Sequence, residues 1–345
     1  MRSDHNGSNH SAAKRIIPAA AMFALSTVML STSTYAWFTM NKEVEMTGLS
    51  MSATAGEGME ISLACVDESK NITSPSDTAK HPSDEESEKG WKSSVIVGHY
   101  YSDIGKLRPA SSVDGKILYD ATDASDGGKK ASNFTKIELN ADNMAEITMK
   151  TTLDETVTDP TIESDKKVGY YVDIPVYLRT NKKKPNDSTT DGDIYCKIKI
   201  QKRDENGNIV STPSDALYKS VRVAFIPSAE ATSSSTTIFG VNADYYTAGQ
   251  AVNGETTRGT VTVETSTDGV VDADAFPDGE GIVSGLKIPF AGTGEQYGHL
   301  DFIVRVWIEG ESKYCSDATS GQSWNIDLAF SLDKFATNTS TNTSP

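Results

Sequence analysis

Cysteine is scarce, with Cys65, Cys196 and Cys315 the three in 345 residues. At most one intrachain disulfide can form, so this is not a framework in which cross-links replace a core. Spacing does not say which pair would join. Histidine is almost as rare. His81, His99 and His299, the three outside the N-terminal region, have no partner at metal-ligand spacing, and each reads as a solvated loop or strand-end residue. The G-x-S-x-G elbow, the P-loop and the dinucleotide fingerprint are all missing. Positive charge is short too, with 32 Lys and Arg against 48 Asp and Glu, a net of −16. Such a chain repels polyanions and anionic lipid, which excludes nucleic acid as a partner. Beyond the N-terminal region no segment sustains a helical apolar period.

The one long hydrophobic run lies at the start. Lys14 and Arg15 precede Ile16 to Leu30, followed by the hydroxyl-rich Ser31 to Thr34 and then Tyr35-Ala36-Trp37. A charged start, an apolar middle and a small-residue exit make residues 1–36 a helical signal peptide, cut between Ala36 and Trp37. An uncleaved anchor is the alternative, because Ile16 to Phe38 is long enough to span a bilayer. Pro18, the serines and threonines, and the Thr-Tyr-Ala exit favour cleavage. The chain is read as exported and extracellular, touching membrane only through this leader. The leader holds Arg2, Lys14, Arg15 and Asp4, a sum of +2, so the remainder carries −18.

Residues 37–335 read as a β-sandwich domain, long enough for one core or two smaller ones, with loops 66–92 and 228–279 as the candidate place for an inserted subdomain. Val44 and Met46 share one parity and Leu49, Met51 and Ala53 the other, with the switch at Thr47-Gly48, where glycine suits a bulge. A second strand spans Met59 to Cys65. Further candidates are Ser94 to Tyr100, Lys136 to Asn140, Glu146 to Met149, Ile194 to Gln201, Val221 to Phe225, Ile282 to Phe290, Leu300 to Glu309 and Trp324 to Leu332. In between, Tyr170, Val172, Ile174, Val176 and Leu178 alternate with Tyr171, Asp173, Tyr177 and Arg179, the period of a half-buried strand. Pro175 cannot donate to a ladder, so this is a candidate edge strand, or one bulged there. Stretches 66–92 and 228–279 are polar insertions with too little apolar surface to offset their ordering entropy, and weak strand patterns recur at Thr236 to Val241 and Gly259 to Glu264. Residues 336–345 form a disordered Thr/Ser/Asn tail. The whole reads as an all-β protein, an antiparallel β-sandwich of jelly-roll type with long polar loops.

Little chemistry stands out, and the chain reads as a non-enzyme without a required cofactor. Asp272, Asp274, Asp278 and Glu280 around Phe276-Pro277, and less so Asp204 to Asn208, are weak calcium candidates, with solvated loops as the favoured reading. Cys196 shares its strand's inward parity, which fits a buried thiol rather than a nucleophile. Trp307 and Glu309 invite a sugar-binding reading, but a lone strand tryptophan more often packs in a core.

The exit and first strand, TYAWFTMNKEVEMTGLSMSA, resemble the signal-peptide class processed by SipW-type peptidases. Its known members are the TasA and camelysin-like secreted fibre proteins of Gram-positive bacteria. Shared features are the small residue, Tyr35 and Ala36, the pair Trp37-Phe38, a short polar stretch and a glycine-containing strand. Leu107 to Ser112, Tyr171 to Arg179, and Val306 to Gly310 followed by Cys315 are similar in pattern to large clostridial relatives. The resemblance implies a dedicated signal peptidase and a subunit of a cell-surface or biofilm-matrix fibre. It also implies head-to-tail self-assembly in which the strand of Val44, Met46, Leu49 and Met51 is donated to the next copy. Two readings of that strand stay open: donation, or completion of its own sheet. The alternative function is a monomeric or anchored surface adhesin or glycan-binding module. A hydrolase is disfavoured, since no acid, base and nucleophile set is evident.

Overall fold

The structure is a computed structural model that describes residues 46–56, 58–76, 81–84, 89–112, 115–121, 135–162, 165–183, 191–203, 217–227, 238–240, 282–292, 294–310, 312, 314–315 and 320–333. The chain divides into Met1–Lys42 and Glu43–Pro345, and every described residue belongs to the second unit. Its strands are β1 (Met46–Ala55), β2 (Met59–Ser62), β3 (Cys65–Val66), β4 (Ile72–Thr73), β5 (Ser94–Ile96), β6 (Tyr101–Ile104), β7 (Pro109–Ser111), β8 (Leu118–Asp120) and β9 (Thr135–Ile137). They continue with β10 (Ile147–Met149), β11 (Thr161–Ile162), β12 (Val172–Thr180), β13 (Asp191–Arg203), β14 (Val221–Pro227), β15 (Ile238–Gly240), β16 (Ile282–Pro289), β17 (Gly298–Glu309) and β18 (Gln322–Ser331). Among the described residues, helix is confined to one turn, α1 (Val97–Tyr100), and a 3-10 turn at Leu217–Ser220. The protein is all-β.

A five-stranded sheet runs β16-β13-β18-β1-β5. An eight-stranded sheet is centred on β17, which pairs with β14 on one side and with β12 and then β7 on the other. Beyond these lie β15, β2, β8 and β9. Period-2 alternation explains which side chains meet. Ile194, Cys196, Ile198 and Ile200 of β13 and Trp324, Ile326, Leu328 and Phe330 of β18 are buried in one cluster with Val172, Ile174, Val176 and Leu178 of β12 and Phe302, Val304 and Val306 of β17. Phe225 of β14 joins the two sheets, lying edge-on to Phe330 at 5.7 Å, to Phe302 at 5.9 Å and to Phe239 at 5.2 Å. A second cluster occupies the opposite face of the eight-stranded sheet, where Trp307, Ala224 and Tyr171 pack with Ala110, Leu118, Ile137 and Ile238. Trp307 is therefore core, and β17 ends at Glu309 as a strand entering a turn.

The ladders are mixed, which corrects the expectation of antiparallel pairing throughout. β1 runs parallel to β18, β7 to β17 and β11 to β6. Parallel neighbours need a long crossover rather than a hairpin. Because β1 and β18 stand at opposite ends of the described chain, the intervening fold supplies that crossover. Two local readings also change. Ser94 to Tyr100 is a strand only to Ile96; α1 then turns the chain from the five-stranded sheet into the small sheet β10-β6-β11. Gly98 is needed there, since a Cβ on it would sit 2.2 Å from the Thr158 carbonyl. The polar stretch 66–92 contains the β3–β4 hairpin, with Val66 and Ile72 buried. Asp67 accepts the backbone N–H groups of Ser69 and Asn71 and closes that turn.

No disulfide joins the three cysteines, and Cys196 and Cys315 are buried as thiols. Burial pushes the Cys196 thiol up from its ordinary value, so thiolate is scarce and access is blocked. Native protein is expected to leave Cys196 unmodified by an aromatic disulfide reagent, and denatured protein to react fully. Peptide mass spectrometry of the two samples distinguishes these outcomes.

Candidate functional site

The proposed assembly strand has a definite place. A register shift between Met46 and Leu49 falls at Thr47-Gly48, where the parity switch predicts a bulge. From there Leu49 pairs with Trp324, Met51 with Ile326 and Ala55 with Phe330 along β18. On its other side β1 pairs with β5 only at Ser52 to Thr54. The Ala55 N–H donates to Ser93 O at 2.9 Å and the Gly56 N–H to Phe330 O at 2.7 Å, which ties down the exit. β1 thus occupies an interior slot of its own sheet, held by main-chain bonds. Such bonds are indifferent to which copy of the sequence supplies the strand. Val44, Ala36 and Trp37 lie outside the described residues.

In β12, Val172, Ile174 and Val176 are fully buried toward the core, while Tyr170 precedes the strand and its hydroxyl donates to Asp120. β17 pairs with β12 over its whole length, Pro175 lying opposite Ile303. β2 pairs only with Tyr177 to Thr180, so among the described residues Val172 to Val176 have a ladder on one side. That accommodates a proline without a lost hydrogen bond. β1 and β12 belong to different sheets, and the structure does not bring the two segments into one ladder.

The outward residues of β12 are covered as well, by groups that sequence reasoning did not connect. Arg179 has a side chain 4% exposed. Its Nε donates to Glu60 Oε2 at 2.7 Å and its Nη1 to Asp84 Oδ1 at 3.0 Å. The guanidinium lies 4.0 Å from the Tyr297 ring centroid and 4.8 Å from that of Trp91, within cation–π range of both. His299, the register partner of Arg179, has Nε2 3.0 Å from the same Asp84 oxygen. The His81 ring stacks on it at 3.9 Å with a 3° interplanar angle. Burial holds the His299 pKa below its usual 6.5, opposed by the hydrogen bond to Asp84 and reinforced by His81. His81 and His299 are thus partly buried members of a cluster, not solvated strand-end residues. The alternation of β12 marked Arg179 as outward. Its partner Asp84 lies 95 residues away in a polar stretch, and no local signal joins the two.

Two further arginines line the same sheet face. Arg305 makes a bidentate pair with Asp173 at 2.8 and 2.7 Å, donates to Gly115 O and lies 4.7 Å from the Tyr171 ring. Arg222 is fully buried and pulled down to about 10 by desolvation, with Glu309 opposing. Glu309 accepts from the Ser112 N–H and the Trp307 indole. These pairs join strands and loops and present no nucleophile. Among the described residues no three His, Cys, Asp or Glu side chains could hold a metal ion, and no helix is long and apolar enough to cross a membrane. The calcium candidates Asp272, Asp274, Asp278 and Glu280, and Asp204 to Asn208, lie outside the described residues. No protein-family model, no curated protein and no solved structure matches this chain.

Proposed function

We propose that this chain is an exported, non-enzymatic structural subunit of a cell-surface or biofilm-matrix fibre. In this reading the leader is removed after Ala36 by a dedicated signal peptidase, and the domain is a two-layer, jelly-roll-like β-sandwich. The subunits join head to tail, each giving its β1 to the slot between β18 and β5 of the next. The observation that carries the reading is the position of β1: an interior strand held by main-chain ladders and contributed by the N-terminal end of the domain. The resemblance of the leader to those of secreted fibre proteins supports it. A contact of this kind is heterologous and builds an open filament rather than a closed ring.

The test is to pin β1 to its own sheet. Ser52 and Asp327 are register partners across the β1–β18 ladder, so S52C together with D327C allows a cross-link within one chain. Electron microscopy of the secreted form is expected to show filaments for wild type and for the reduced variant, and only monomers for the oxidised variant. Equal assembly by the oxidised and reduced variants would sink strand donation. A wild-type protein that stays monomeric under crowded and acidified conditions would sink the fibre reading itself.

A further inference from the structure

We propose that residues 81–84 form an acid-released clip, fastened across β12 and β17 at neutral pH and freed when the His81–His299 pair becomes doubly protonated. The inference rests on the geometry of the cluster and is independent of the fibre reading.

Asp84 is the catch. A single carboxylate oxygen, Oδ1, receives both Arg179 Nη1 and His299 Nε2 at 3.0 Å. His81, three residues earlier, lies flat on His299. Between them the Ser83 carbonyl accepts from the Trp91 indole at 3.4 Å. Asp84 and His81 thus hold the segment to the sheet through ionisable partners. Beneath it, Arg179 is 3% and Trp91 4% exposed.

The charged and titratable groups facing the pair come from four elements. Glu60 on β2 and Arg179 on β12 are paired with each other. Asp84 belongs to the clip itself. Asp301 lies two residues beyond His299 on β17, and Tyr297 precedes it with ring centroids 6.5 Å apart. With both imidazoles neutral, Arg179, Glu60 and Asp84 leave the inner cluster with one net negative charge. A first proton neutralises it; on His299 burial opposes that proton more than the Asp84 hydrogen bond favours it. A second places two imidazolium rings face to face, 3.9 Å apart, beside the Arg179 cation. Like charges stacked at that distance and half removed from water repel strongly.

The direction of the pH effect follows. His299 is held below its usual value when covered, so the open form binds the proton more readily than the closed form. The clip is fully closed above about pH 6.5 and loosens as pH falls through the lower, covered value. Release uncovers an arginine and a tryptophan on a chain that is otherwise strongly acidic.

Acrylamide quenching of Trp91 in the full-length chain tests this, with its signal assigned by the difference from W91F. In wild type the quenching constant is expected to rise several-fold between about pH 7.5 and pH 5, while near-ultraviolet circular dichroism of the core stays unchanged. His81→Phe keeps the ring stack without the second charge and is expected to open less than wild type over this range, since the His81 charge no longer adds to burial in opposing protonation of His299. His81→Gln serves the same purpose should phenylalanine disturb the stack. Asp84→Asn weakens the catch and is expected to be open at both. A flat wild-type response would overturn the proposal, as would the same rise in both His81 variants. Loss of core dichroism together with the rise would overturn it too, because that is unfolding rather than release of a clip.

Discussion

Phe225→Ala is expected to lower the unfolding free energy by about 3–5 kcal/mol. Phe225 is fully buried and meets three other rings edge-on: Phe330 from the five-stranded sheet, Phe302 from β17 and Phe239 from β15. Phe302 and Phe330 also touch each other at 5.4 Å. Removing the central ring forfeits its transfer free energy and leaves a cavity between two sheets whose backbones are held by ladders and cannot close in. Urea titration of the variant against wild type measures the effect as a lower midpoint at an unchanged slope. A loss below about 1 kcal/mol would mean that the two sheets do not share this core.

Asp173→Ala is expected to cost about 3–5 kcal/mol, whereas the double variant Asp173→Leu with Arg305→Met recovers most of that loss. The side chain of Arg305 is 7% exposed and that of Asp173 is 16% exposed. Taking one partner away strands the other charge against the outer face of the sheet. Taking both away removes the desolvation penalty and leaves two apolar side chains beside Tyr171 and Trp307. The guanidinium also donates to Gly115 O. Gly115 sits at φ +67°, where a Cβ would meet the Ala224 Cβ at 2.5 Å, so the loop that takes this bond is itself tightly seated. Thermal unfolding of wild type, Asp173→Leu, Arg305→Met and the double variant gives the coupling directly. Additive losses would show that the pair contributes no mutual interaction.

The strands were legible because alternation is a local property. Val172 to Leu178, Ile194 to Ile200 and Trp324 to Phe330 each place their apolar residues on one face, and all are buried as that pattern requires. The bulge at Thr47-Gly48 was legible for the same reason, since a parity switch within one strand needs one extra residue. The hairpin at Cys65 to Thr73 was not. Only Val66 and Ile72 mark it as buried, and a mostly polar stretch hides two apolar residues. The outer face of β12 was read as the exposed side of a half-buried strand because Arg179 looks like a solvent-facing residue until a distant stretch covers it.

By itself the sequence determined that the described domain is β-structured, which side chains of its long strands point inward, and that the first strand carries a bulge. These follow from side-chain size, period and glycine placement, which act over a few residues. The tertiary structure alone decided that β1 lies parallel to β18, that β17 takes partners on both sides, and that Asp84 reaches Arg179 and His299. Partner choice depends on which remote surfaces remain to be covered once the core has formed, and on where buried charges find counter-charges. Neither is written in the spacing of neighbouring residues.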